Sequence, residues 1–88
     1  MPTILLLQGW RLFFYSDERN EPRHVHARKA ECECKFWLNP QVYEIDEAWS
    51  YNLTPRLRRE VRKIIFNHFD VIAEEWTRHF EGRPNATN

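Results

Sequence analysis

Two histidines one residue apart, His24 and His26, stand just upstream of two glutamates with the same spacing, Glu31 and Glu33. They lie in Glu21-Pro22-Arg23-His24-Val25-His26-Ala27-Arg28 and Glu31-Cys32-Glu33-Cys34-Lys35-Phe36-Trp37-Leu38. In extended backbone, side chains i and i+2 share a face. His24 and His26 then point together, and Cys32 and Cys34 point away from the glutamates. An imidazole exchanges protons near neutral pH, and a neighbouring carboxylate can orient it. His24, His26 and Glu33 are therefore the candidate catalytic residues. The same groups have the chemistry of a divalent-metal site, but strand spacing alone does not make one, and no metal or cofactor is expected. The plain alternative is a cross-strand pair on an ordinary half-wet sheet face.

These residues need a hairpin to hold them. Arg23 to Arg28 and Glu31 to Leu38 both read as strands, with Lys29-Ala30 at the turn. A two-residue turn there sets Arg28 against Glu31, His26 against Glu33 and His24 against Lys35. On the other face Ala27 meets Cys32 and Val25 meets Cys34. Small and apolar groups then point inward, and charged groups and imidazoles outward. A one-residue slip would invert every side chain.

Upstream, Thr3 to Gln8 and Trp10 to Tyr15 read as a tight hairpin turning at Gly9. Both of its faces are apolar, so it is expected to be central or covered on each side. Ser16 to Pro22 is rich in turn formers and reads as a loop. After Asn39-Pro40, Gln41 to Ile45 reads as a short edge strand, and Trp49 to Leu53 as a loop or helical turn. Thr54-Pro55 is a helix start, with Thr as N-cap and Pro at the first helical position. Leu57, Val61, Ile64, Ile65, His68, Phe69, Ile72, Ala73, Trp76 and Phe80 then follow three- and four-residue steps. That pattern is an apolar stripe on one long amphipathic helix, or on two with a break near Asn67 to Asp70. Gly82 is a helix stop.

The chain has 88 residues, which predicts one domain: residues 1–46 mainly strands, 54–81 helical and 83–88 a frayed tail. The fold class expected is α+β, an antiparallel sheet of four to five strands with the helix or helix pair packed on one face. Four tryptophans, three tyrosines and six phenylalanines supply core area in a short chain. Cys32 and Cys34 run parallel on one strand face and cannot easily bridge. They read as free thiols of a reducing, cytoplasmic protein. Ile4 to Leu7 is too short to span a bilayer or to serve as a signal sequence.

The formal net charge is zero, but Arg56, Arg58, Arg59, Arg62 and Lys63 crowd the start of the helix. Cations there oppose the helix dipole, and Glu74 and Glu75 fall in its second half, so the charge order is inverted. The run is either a solvated face or, with Arg23 and Arg28, a set of contacts for an acidic partner, protein or nucleic acid. With only Gly9 and Gly82, the chain has no glycine-rich phosphate loop, and no Gly-x-Ser-x-Gly elbow is present.

Met1-Pro2-Thr3-Ile4, Phe13-Phe14-Tyr15-Ser16, Glu21-Pro22-Arg23-His24-Val25-His26 and Ala30 through Lys35-Phe36-Trp37-Leu38-Asn39-Pro40 occur in this order. With Glu75-Trp76 and Phe80 before Gly82, they make the chain resemble a small bacterial family catalogued as domain of unknown function 4160. The resemblance implies a cytoplasmic protein encoded beside a short partner, the pair resembling a type II toxin–antitoxin module with this family as the toxic member. Many relatives have Pro-Pro before His-x-His where this chain has Arg23, and many have Gly at the position of Asn52. Asn tolerates positive φ, so that turn can survive. The function expected is therefore a toxin-like component acting on nucleic acid or its machinery, with a small antitoxin-like protein as partner. The alternative is a non-enzymatic antitoxin or DNA-binding regulator. A homodimer, through an edge strand or the helix, is compatible with either.

Overall fold

The computed structural model describes residues 3–15 and 20–80. The expected tail at 83–88, the Gly82 stop and most of the Ser16 to Pro22 loop lie outside them. Among the described residues the chain runs β1 (Thr3–Leu7), β2 (Trp10–Phe13), β3 (His24–Lys29), β4 (Cys32–Asn39), β5 (Glu44–Tyr51), α1 (Pro55–Asn67) and α2 (Phe69–Phe80). The strands form one antiparallel meander in the order β1-β2-β3-β4-β5. Five strands and two helices make it an α+β fold, as expected.

The first turn is Gln8-Gly9, with φ of 55° and 86°, closing Leu7 onto Trp10. Positive φ at both central residues is the hairpin turn that suits strand twist. β1 lies at the sheet edge, so this hairpin is not central as a unit, although β2 is covered on both faces.

The next hairpin corrects the expected pairing. Its turn is Ala30-Glu31 rather than Lys29-Ala30, and Ala30 takes φ of 53°. Lys29 stays on the ladder opposite Cys32, where its Nζ reaches Glu60 of α1 at 2.7 Å. All partners therefore move by two: Arg28 faces Glu33, His26 faces Lys35, His24 faces Trp37, Ala27 faces Cys34 and Val25 faces Phe36. An even shift leaves every side chain on its expected face while changing every neighbour.

β5 starts at Glu44 and not at Gln41, because Gln41 to Tyr43 form a turn, and it runs on through Trp49, Ser50 and Tyr51, part of the segment read as a loop or helical turn. The reading failed there because β5 carries a bulge. Lys35 pairs with Trp49, but Phe36 pairs with Glu47, leaving Ala48 as the extra residue. Simple alternation breaks at that point. Asn52 follows with φ of 58° and donates its side-chain amide to the Glu31 carbonyl at 3.2 Å, so the turn does survive without glycine.

Thr54 caps α1, its Oγ1 accepting the Leu57 N–H at 3.1 Å, and Pro55 opens the helix. The break falls at His68, whose φ of −120° leaves helical geometry and whose Nδ1 turns back to the Ile64 carbonyl at 3.0 Å. The misplaced cations therefore belong to α1, while Glu74 and Glu75 fall in the separate helix α2, so the expected inversion does not run along one helix. α2 has Asp70 in its first turn and Arg78 and His79 in its last, the order its dipole favours.

Both helices cover one sheet face. Trp10, Leu12, Phe14, Val25, Ala27, Cys32, Cys34, Phe36, Leu38 and Ile45 meet Val61, Ile64, Ile65, Phe69, Ile72 and Trp76 there. The free cysteines are core residues, and burial pushes the Cys34 thiol up to about 12. Across the helix boundary, Tyr43 hydrogen-bonds Asp70 and stacks on Phe69 at 4.9 Å.

Candidate functional site

The opposite sheet face carries the histidines. One row across it runs Phe13, His26, Lys35, Trp49, from β2 to β5, and a second runs His24, Trp37, Asp46. Cross-strand partners point to the same side, so the bulge at Ala48 decides who belongs. It sends Trp49 to this face and Glu47 to the helix face. Without it, the two would point the same way.

The imidazoles are inside the protein, not outside as the expected register implied. His24 is 0% exposed and His26 is 2%. His26 stacks on Phe13 at 5.4 Å, meets Tyr15 edge-on at 4.6 Å and has Trp49 at 5.9 Å. His24 stands edge-on to His26 at 5.2 Å, to Trp37 at 5.5 Å and to Trp76 of α2 at 4.8 Å. Its Nδ1 lies 2.8 Å from the Pro22 carbonyl. A carbonyl only accepts, so Nδ1 carries the proton in that bond. Aromatic rings bury this second face where an ordinary sheet would leave it wet.

Glu33 is not the partner of His26. Its carboxylate takes Arg28 at 3.1 Å and the Tyr15 hydroxyl at 3.2 Å. Lys35 occupies the ladder position opposite His26, and its Nζ binds Glu21 at 2.6 Å while lying 4.3 Å from the Trp37 ring centre. Sequence reading omitted Phe13, Tyr15, Lys35, Trp37 and Trp49 from the site. The parity of Lys35 and Trp37 with Glu33 was the available signal for two of them. The structure thus brings His24 and His26 together and assigns Glu33 to a separate polar cluster beside them. Among the described residues, no group of three or more His, Cys, Asp or Glu is arranged to hold a metal ion.

The cations of the loop before β3 and of α1 fall into four placements. Arg23 donates to Thr77 Oγ1 at 3.0 Å, tying the approach to β3 onto α2. Arg58 grips Glu47 through Nε at 2.7 Å and Nη2 at 3.2 Å, and this hydrogen bond holds the Glu47 carboxyl below the usual carboxylate range. Arg62 lies over Phe36 and Phe66. Arg56, Arg59 and Lys63 are exposed, and with Gln8 and Asn67 they line a groove of about 380 Å³ between α1 and the first hairpin. A separate cleft of about 620 Å³ lies beyond Trp37, between Arg23 and Asp46, and does not include the histidines.

A five-stranded meander with a helix pair on one face and an aromatic-enclosed histidine pair on the other defines the class of domain. The chain matches the domain of unknown function DUF4160 over residues 9–77 and belongs to that family. The match covers the His-x-His and Lys-Phe-Trp-Leu segments, while Met1 to Ile4 and Phe80 to Gly82 fall outside it. No curated protein and no solved structure matches the chain. Among the described residues, no helix is long and apolar enough to cross a membrane.

Proposed function

We propose that the chain is a toxin-like component of a bacterial type II toxin–antitoxin module. In this reading it works in the cytoplasm on nucleic acid or its machinery, and a small protein partner neutralises it. It acts by docking and not by proton transfer at its histidines. The resemblance to its family supports the toxin–antitoxin part. The enclosure of His24 and His26, 0% and 2% exposed, supports the docking part. A general acid or base must come within hydrogen-bond reach of its substrate. Rings walled by Phe13, Tyr15, Trp37 and Trp76 offer no such approach without displacing part of the core.

Regulated expression in bacteria tests both parts. Growth arrest by the wild-type chain is expected, and it is expected to persist in His26→Phe, which keeps a ring in the stack but removes both nitrogens. Loss of arrest by a His26→Phe protein that still melts cooperatively would show that the imidazole does chemistry. Absence of arrest by the wild type would overturn the toxin reading in favour of a non-enzymatic antitoxin or DNA-binding regulator.

A further inference from the structure

We infer that Arg56, Arg59 and Lys63 form the contact through which this chain grips the phosphate backbone of duplex nucleic acid. The inference rests on the docking function proposed above and names the surface that performs it.

Positions 56, 59 and 63 recur on one side of α1, spaced by about one turn. The fold has removed the other two cations of the run from competition. Arg58 is held by Glu47 on the helix face of the sheet, and Arg62 lies over Phe36 and Phe66. The carboxylate that interrupts the stripe, Glu60, is already taken. It accepts from Lys29 Nζ and from Trp10 Nε1, both at 2.7 Å, and these bonds hold its carboxyl below the usual range. No hydrogen bond or ion pair joins Arg56, Arg59 or Lys63 to another described residue, and no acidic residue occupies the first turn of α1. Arg56 stands in the first turn, at the positive end of the helix dipole, and feels Glu60 only through space, while Arg59 and Lys63 continue the stripe along the same side of the helix. Surface charge of that sign lowers the stability of the helix, so it is a feature that suits a ligand better than it suits the fold.

The chemistry of the groove favours a duplex. Seven residues of α1 span about 10 Å, the axial length of about three phosphates on one strand of B-form DNA. Guanidinium groups bind phosphate through two parallel N–H donors, and lysine adds a point charge. Gln8 and Asn67, at the groove walls, supply neutral hydrogen-bonding groups. Among the described residues no aromatic side chain lines it, whereas grooves for single strands stack bases on aromatic rings.

Fluorescence anisotropy of the purified chain with a labelled mixed-sequence duplex tests the contact. Three neutralised phosphates predict a slope of about −2.7 for log K against log salt, which is about a 40-fold loss of affinity between 50 and 200 mM salt. Arg56→Gln, Arg59→Gln and Lys63→Gln should each reduce the slope by about one, and the triple variant should abolish it. Arg78→Gln, which removes an exposed arginine of α2 paired with Glu75, should leave it unchanged. A circular-dichroism melt checks that each variant is folded. A wild-type chain that ignores the duplex at low salt, or a folded triple variant that keeps the wild-type slope, would overturn the site. So would tenfold tighter binding to a single strand, or binding to polyglutamate in place of the duplex. Each of these failures is read without growth arrest, so the proposed function is judged separately.

Discussion

The imidazole of His26 lies nearly parallel to the ring of Phe13, with centroids 5.4 Å apart and planes inclined by 18°. Both are on the sheet face opposite the one that packs on α1 and α2, although Trp76 of α2 reaches around to His24. Tyr15 closes the stack edge-on, and Trp49 reaches it from β5. A histidine in such a setting acts as a core residue.

Removing that ring should therefore read as a packing defect. His26→Ala is expected to lower unfolding stability by about 2–3 kcal/mol, within the range for emptying a core position. His26→Phe should cost less than half as much. Urea denaturation measures both, through the midpoint at an unchanged slope.

Two turns should respond in opposite directions. Gly9 has φ of 86°, and a Cβ added there would stand 3.1 Å from Lys29 Cε. Gly9→Ala should then destabilise by about 1 kcal/mol. Ala30, held at φ of 53°, carries the left-handed penalty already, and Ala30→Gly should stabilise by about 0.5–1 kcal/mol. Thermal melts of the two variants, run side by side, give the signs directly.

Acid should weaken the fold through two carboxylates. Arg58 lowers the pKa of Glu47, and Lys29 with Trp10 lowers that of Glu60, in each case chiefly by hydrogen bonding. A carboxyl with a folded pKa below its unfolded value of 4.5 stabilises the fold above that pH. Its contribution disappears as the pH falls through the folded value. The urea midpoint should accordingly drop below about pH 4.5, and the Glu47→Gln variant should lose less across that window than the wild type. A double-mutant cycle of Glu47→Gln with Arg58→Gln should show favourable coupling that shrinks as salt rises.

The thiols should be inert in the native protein. Cys32 and Cys34 are buried, and desolvation pushes Cys34 up to about 12, so it remains protonated at pH 8. Since the thiolate is the reactive form, a chromogenic disulfide reagent should label Cys34 only at the rate of unfolding. Labelling at native concentrations of buffer within the mixing time would contradict its placement in the core.

Much of the architecture is legible locally. Thr54-Pro55 announces the α1 start because capping depends on adjacent residues. The stripe from Leu57 to Phe80 announces a helical face because burial repeats with the helical period, and all of its members except His68 join or pack against the core. Alternation likewise separates the cysteine face from the histidine face in β3 and β4. The β3–β4 register was less legible, because an Ala30-Glu31 turn and a Lys29-Ala30 turn give the same alternation; the observed register puts Lys29 on the ladder, where it reaches Glu60, thirty-one residues away.

Spacing and residue type alone determined which side chains share a face, where the helices begin and that the chain is α+β, because each follows from backbone geometry over a few residues. Tertiary structure alone decided what those faces meet. The bulge at Ala48 turns Trp49 toward His26 and Glu47 toward Arg58, and no local pattern encodes an extra residue. Aromatic rings from β2, β4, β5 and α2 then enclose imidazoles that alternation had assigned to solvent. The same packing secures Arg58 and Arg62 and leaves Arg56, Arg59 and Lys63 exposed. Burial and charge pairing depend on contacts between distant segments, and those contacts exist only once the sheet and helices are assembled.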